Sequence, residues 1–299
     1  MVIGLHGGLK KVGLADVLGA FAQTPRRQVL HAALLLGLSL CIMCVYDVPG
    51  ILFARRSETF PRLGLHRIGL ASFCAYALSH VLGAPAISSA AIRLRLYAQW
   101  GVPTTGIGRI VALSGSTFFL GLSAMLGLLL LFHPHAVPVF GHAAPGILRL
   151  SGAALAGIAL AYVLAARGRR SVTIFGKDIP LPGARLACAQ ILLSAADMAV
   201  SSAILYTVLP NAPGLSYPHV LSVYLAGFAS GLFSGLPGGV GVFDSVLLLG
   251  LSEYLLPAEA LGAILLFRVM YFLAPACFAG LCYAGHELWV HAKASGEKP

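Results

Sequence analysis

Charge is what this sequence has least of. Only 10% of its 299 residues are charged and 58% are hydrophobic, whereas soluble domains carry about 25% charged residues. No polar stretch is long enough to fold as a soluble domain, so any chemistry sits within a membrane or at its surface. Acids are scarcest, 10 against 20 Lys and Arg. In a soluble chain such an excess suggests nucleic acid, but these basic residues lie between apolar runs, and anionic lipid headgroups are the better match. Nucleic acid is not expected as a partner.

Other absences narrow the reading further. The six cysteines fall in apolar segments without the paired spacing of a zinc site or a disulfide framework. His133 and His135 stand without further ligands, so no metal site is expected. G-x-S-x-G, GxGxxG and Walker sequences are missing, and with them any expectation of a catalytic residue or a bound cofactor. Residues 1–28 lack an uninterrupted apolar region and a small-residue cleavage site, and read as an amphipathic, interfacial segment rather than a signal peptide.

Hydrophobic runs are abundant. A spanning helix needs about 20 apolar residues, and segments 29–53, 110–132, 147–166, 187–209 and 260–285 qualify. Two further apolar segments are interrupted: 66–92 by GAPAISSAA, and 220–251 by LPGGVGVFD. The linker 167–185 holds five Lys or Arg, while 133–146 and 210–218 hold none. This places the first linker in the cytoplasm and the other two outside. Basic residues flank 66–92 on both sides, so that segment enters and leaves by the cytoplasmic face. By the same logic 220–251 is a hairpin from the outer face. The expected fold is all-α: one integral-membrane domain over 1–299, a polytopic bundle with two broken, re-entrant segments and an inverted-repeat, transporter-like plan.

The broken segments also hold the residues that suggest chemistry. A non-helical stretch at membrane depth survives only inside protein or along a wet cavity. Pro237 stops a half-helix, Gly238, Gly239 and Gly241 permit the turn, and Asp244 follows in the first turn of a second half-helix. Asp244 there can cap the helix, hold a proton or pair with a cation. Ionisable residues at membrane depth are costly and mark pathways; besides Asp244 these are Asp47, Asp197 and Arg268. Arg268 has no acid at helical spacing, which leaves Asp244 or Asp197 as its partner. After the first hairpin, Arg93, Arg95 and Tyr97 form a candidate headgroup site, since arginine suits phosphate and Tyr favours the interface. On that interfacial reading, replacing both arginines by Gln costs less than about 0.5 kcal/mol of stability. His80, within the first hairpin, reads as a core histidine or as a proton site.

Four elements in order, VYDVPGILFARR, ISSAAIRLRLYAQWG, SAADMAVSSAILYTVLP and GLPGGVGVFDSVLLLG with LLFRVMYFLAP behind it, resemble the membrane domain of the bacterial lysylphosphatidylglycerol synthase/flippase family and its stand-alone relatives. The family's usual acid after the glycine run is Glu, where this chain has Asp244. The resemblance implies a lipid flippase of the bacterial inner membrane acting on an anionic or aminoacylated phospholipid. It implies no enzyme, because the aminoacyl-transferring domain does not follow, and it implies that the chain starts just after the family's first spanning helix. The alternatives are an accessory subunit that presents lipid to a separate biosynthetic enzyme, and a lysylphosphatidylglycerol synthase (lysyltransferase) at the level of the family, without the catalytic domain. A homo-oligomer is compatible with any of these.

Overall fold

The computed structural model describes residues 19, 25–56, 60–136, 144–168, 171–174 and 177–296. Helices α1 (Arg26–Val45) and α2 (Val48–Ala54) form one apolar stretch bent at Tyr46–Asp47, with Pro49 in the first turn of α2. Then come α3 (Leu65–Leu82) and α4 (Pro85–Gln99), α5 (Thr104–Phe132), α6 (Pro145–Gly168), α7 (Ala184–Val208), α8 (Tyr217–Ser234), α9 (Val242–Leu251), α10 (Pro257–Arg268) and α11 (Ala274–Gly296). A π-helical stretch, Val269–Leu273, joins α10 to α11 just ahead of Pro275, which can give no N–H to the helix ladder. Five helical stretches, 26–54, 104–132, 145–168, 184–208 and 257–293, are long and apolar enough to cross a membrane. They coincide with the five expected spans. One departure from an all-α fold is an antiparallel ribbon, Ser171–Ile174 with Lys177–Pro180, in the basic linker. The interfacial segment expected over 1–28 lies outside the described residues apart from Gly19 and 25–28.

Both interrupted segments fold back on themselves. Arms α3 and α4 turn at Gly83 (φ 81°) and Ala84 (φ 43°), and at their far ends the Arg67 guanidinium lies over the Trp100 ring, 5.8 Å from its centroid. Arms α8 and α9 turn through 235–241. Their facing positions are stripped of side chains: a Cβ on Gly231 would sit 3.3 Å from Gly239 Cα, one on Gly227 3.2 Å from Phe243, and one on Gly250 2.5 Å from Val223. The two turns touch. Ala84 N–H donates to the Gly235 carbonyl at 3.2 Å, and a Cβ on Gly83 would meet Pro237 at 3.1 Å. Each turn thereby supplies hydrogen-bond and packing partners for backbone that lipid could not satisfy.

Around these hairpins the element order repeats: long helix, hairpin, long helix over 26–132 and again over 184–293, with α6 between. The ends of the bundle differ in charge. Arg56 donates to the Pro182 carbonyl at 2.6 Å, and Arg67, Trp100, His286 and Lys293 share one cleft of about 650 Å³. At the other end Ser222 of α8 donates to the Ala136 carbonyl, tying the first turns of α8 to a linker that lacks Lys and Arg.

Helices α5 and α6 approach at Gly127 and Gly152. A Cβ on Gly127 would lie 2.6 Å from Ala156 N, and one on Gly152 2.8 Å from the Gly127 carbonyl. Backbone cannot rotate away as a side chain can, so Gly127→Leu is expected to cost about 1–3 kcal/mol by overpacking. Thermal unfolding in detergent checks this, with Gly157→Leu, which meets nothing within 4 Å, as the neutral control.

Candidate functional site: three carboxylates around an amphipathic cavity

Asp47 occupies the bend between α1 and α2, where four helices converge. Arg93 of α4 donates Nη2 to Oδ1 at 2.8 Å and Nε to both carboxylate oxygens at 3.0 Å. Tyr97, one turn further along α4, donates to Oδ2 at 3.0 Å, and Ser114 of α5 to Oδ1 at 2.9 Å. The Asp47 N–H donates to Ser72 Oγ of α3. Side-chain exposure is 5% for Arg93 and 0% for Asp47. The carboxylate thus has both oxygens filled, which is the condition for a buried pair to be tolerated.

Arg93 and Tyr97 therefore lie inside the protein rather than at the interface where the sequence suggested a headgroup site. Helix α4 runs to Gln99 rather than ending near residue 92, so Arg93 lies almost two turns from its C-terminus, inside the protein. Arg95 does sit at the surface, 53% exposed, and its guanidinium is held by Glu287, with Nη2 at 2.8 Å and Nε at 3.1 Å. The small stability cost expected for losing either arginine therefore applies to Arg95 alone.

Asp244 is the partner of Arg268. Arg268 Nε donates to Oδ1 at 2.6 Å and Nη2 to Oδ2 at 3.0 Å, while Nη1 donates to the Gly238 carbonyl at 3.1 Å. Oδ2 also accepts the Gly241 N–H at 2.9 Å, so one acid both caps α9 and pairs with a cation. The guanidinium lies 5.5 Å from the centroid of Phe243 and 5.4 Å from that of Phe272, contacts worth about 0.5–2 kcal/mol. Pro237, Gly238, Gly239 and Gly241 form the turn itself, and all three glycines have positive φ. Gly239 must remain a glycine, since a Cβ would sit 2.8 Å from Gly231 Cα.

Asp197 differs from both. It is buried in α7 and accepts from Tyr76 at 2.5 Å and Ser39 at 3.3 Å. Neither donor is a cation.

A cavity of about 480 Å³ lies between the first hairpin, α5 and α8. Its lining mixes polar groups, Tyr46, Tyr76, Ser79, His80, Ser89 and Arg93, with the rings of Phe118, Phe119, Phe228 and Phe233. At its rim Ile87, Phe119 and Phe233 are 74%, 52% and 74% exposed, and on a bundle of membrane-spanning helices such apolar faces look into lipid. His80 is half-buried, against Tyr76, Phe228 and Phe272, and belongs to this wall rather than to the core. The sequence signalled none of Tyr76, Ser114 or the four phenylalanines as site residues. Among the described residues no group of three or more His, Cys, Asp or Glu could hold a metal.

A bundle with five helical stretches long and apolar enough to cross a membrane defines a multi-span membrane protein, and comparison with known proteins assigns the relatives. The chain is 29% identical over 295 residues to the uncharacterized protein slr0712 of Synechocystis sp., covering 98% of this chain and 90% of that one. It is 28% identical over 277 residues to the inner membrane protein YbhN of Escherichia coli, covering 92% and 85%. It is 24% identical over 294 residues to phosphatidylglycerol lysyltransferase of Staphylococcus aureus, covering 98% of this chain but 33% of that protein. No family model matches the chain. The chain is a membrane protein related over most of its length to YbhN and to part of the lysylphosphatidylglycerol synthases, as its motifs suggested.

Proposed function

We propose that this protein moves a polar lipid between the leaflets of the bacterial inner membrane. The cavity carries the proposal: polar groups, Arg93 among them, and aromatic rings line it together, and its lining includes the exposed apolar residues Ile87, Phe119 and Phe233. A lipid has the matching mixture, with a headgroup for the polar groups and chains that stay in the bilayer. An anionic or aminoacylated phospholipid is the cargo this favours, because Arg93 offers a guanidinium whose Nη1 makes only a 3.5 Å bond, to the Ser89 carbonyl. Tyr97 acts through Asp47, and Arg95 gathers lipid at the basic end. The two hairpins enter from opposite faces and the halves 26–132 and 184–293 are inverted repeats, so that rocking about the touching turns exposes the cavity to each leaflet in turn. Similarity to a lysyltransferase covers 33% of that protein, and aminoacyl transfer is not part of this reading. A separate biosynthetic enzyme or a second copy of the chain fits as a partner.

The occupant of the cavity can be tested by filling it. Gly115 lines the cavity and an added Cβ there meets nothing within 4 Å, so Gly115→Trp should fold normally and exclude lipid. Native mass spectrometry of protein from nanodiscs containing phosphatidylglycerol is expected to show retained lipid in the wild type and in Gly157→Trp, and loss of it in Gly115→Trp. Equal retention by all three would remove the cavity from the account.

Threading is tested separately. With the native cysteines replaced, Cys at positions 62 and 98 should label from the basic, cytoplasmic side, and Cys at positions 216 and 252 from the opposite side. A pair that labels from two faces would show a span where a hairpin is claimed.

A further inference from the structure

Three acids lie in the interior beside the hairpins, and two have an arginine each: Asp47 has Arg93 and Asp244 has Arg268. Asp197 has none. From α1 it meets Ser39, with Tyr46 near by, and from α3 it meets Tyr76. Tyr271, in the π-helical stretch, and Tyr224, on α8, complete the surround, with Ser194 and Ser201 one turn away on α7 itself. Every one of these groups is a hydroxyl. Two of them, Ser194 Oγ and Tyr271 Oη, are buried and make no hydrogen bond of normal geometry, although Tyr46 faces the first and Ser39 and Ser201 the second.

An ionised carboxylate buried among neutral groups is costly by several kcal/mol, and such a group takes up a proton or a cation instead. The route for a proton is visible. Tyr76 bonds the Asp197 carboxylate and also lines the cavity, with the His80 ring edge-on to it at 4.7 Å.

We propose that Asp197 is an exchangeable proton site, loaded from the cavity through Tyr76, and that its charging and discharging couples lipid movement to a proton gradient. On loading, a proton from cavity water passes to the Tyr76 oxygen as the Tyr76 hydroxyl proton passes to Asp197 Oδ2; on release both transfers reverse. One proton enters or leaves and no electron moves. The neutral acid, donating its Oδ2 proton back to Tyr76 Oη so that their hydrogen bond reverses, suits the packed and dry site, and the carboxylate suits a state in which water reaches it, so protonation biases the two arrangements. The proton site itself stands on the packing around Asp197; its coupling role rests on the lipid-moving reading above.

Infrared difference spectroscopy of the purified protein in nanodiscs tests the site without any transport. Passing from acidic to alkaline buffer should remove a protonated-carboxyl C=O band that Asp197→Asn lacks throughout. Tyr76→Phe should keep the band while slowing its shift on transfer to deuterated water. Absence of an Asp197-dependent band would overturn the proposal, and so would a band discharged by sodium ions at constant acidity, which would make this a metal-cation site. Coupling is read in liposomes with an imposed pH gradient: wild-type flux of fluorescent phosphatidylglycerol should respond to the gradient, and the gradient response should be lost in Asp197→Asn. Gradient-insensitive wild-type flux would overturn the coupling. A band without any lipid flux would leave the proton site standing and count against the lipid reading instead.

Discussion

Arg93→Gln is expected to destabilise the protein by about 3–5 kcal/mol, the cost of stranding one partner of a buried ion pair. Asp47 would keep its bonds from Tyr97 and Ser114 but lose three guanidinium contacts at zero exposure. The pair is expected to be strongly non-additive: Asp47→Asn combined with Arg93→Gln removes both charges and should recover much of the loss. Arg93→Lys should fall between, because an ammonium cannot reproduce the fork that spans both oxygens. Thermal unfolding of the four variants in one detergent measures all of this. Arg95→Gln is the contrast: its pair with Glu287 lies at the surface, where solvent screens the charge and takes over the lost bonds, so little change is expected.

The second large effect concerns Asp244. Asn at this position still accepts the Gly241 N–H, so the cap of α9 survives, since Asn and Asp rank together as N-terminal capping groups. What disappears is the charge facing Arg268, whose hydrogen bonds to a carboxylate are worth about 1.5–3 kcal/mol. Asp244→Asn is therefore expected to abolish lipid movement while leaving a folded protein. Asp244→Glu, which restores the acid usual in the resembling family, is expected to retain it. Arg268→Gln should add little to Asp244→Asn, since the first substitution already removes their shared contact. Flux in liposomes reads out each variant. Wild-type flux in Asp244→Asn would reduce the residue to a helix cap.

These two sites were not equally legible in the sequence. The pairing of Asp244 with Arg268 could be narrowed to two acids, because a lone arginine in an apolar helix needs a counter-charge. The pairing of Arg93 with Asp47 could not, since its partner lies 46 residues earlier on another helix and RLRLY at the end of an apolar run looks like ordinary positive-inside charge. The error was one of length. The apolar run fades near residue 92 while α4 continues to Gln99, because tertiary contacts, the Asp47 pair among them, hold helix that hydropathy alone does not demand. The five spans were legible since each is an apolar run of the required length with at most one charged residue in it, and both turns were marked by Gly and Pro. The cavity was not, as Gly115, Phe118 and Phe228 become neighbours only when α5 meets α8. Asp197 was legible as an expensive residue, yet nothing in its local sequence says that hydroxyls alone would surround it.

Flux of phospholipid across sealed liposomes is the measurement closest to the central claim. Purified protein, reconstituted with fluorescent phosphatidylglycerol and challenged with an impermeant quencher, should let quenching proceed past the outer-leaflet fraction. Gly115→Trp should hold it at the level of protein-free liposomes, and Gly157→Trp should not. Quenching that stops at the outer leaflet for wild-type protein, across anionic, zwitterionic and aminoacylated lipids alike, would contradict the account.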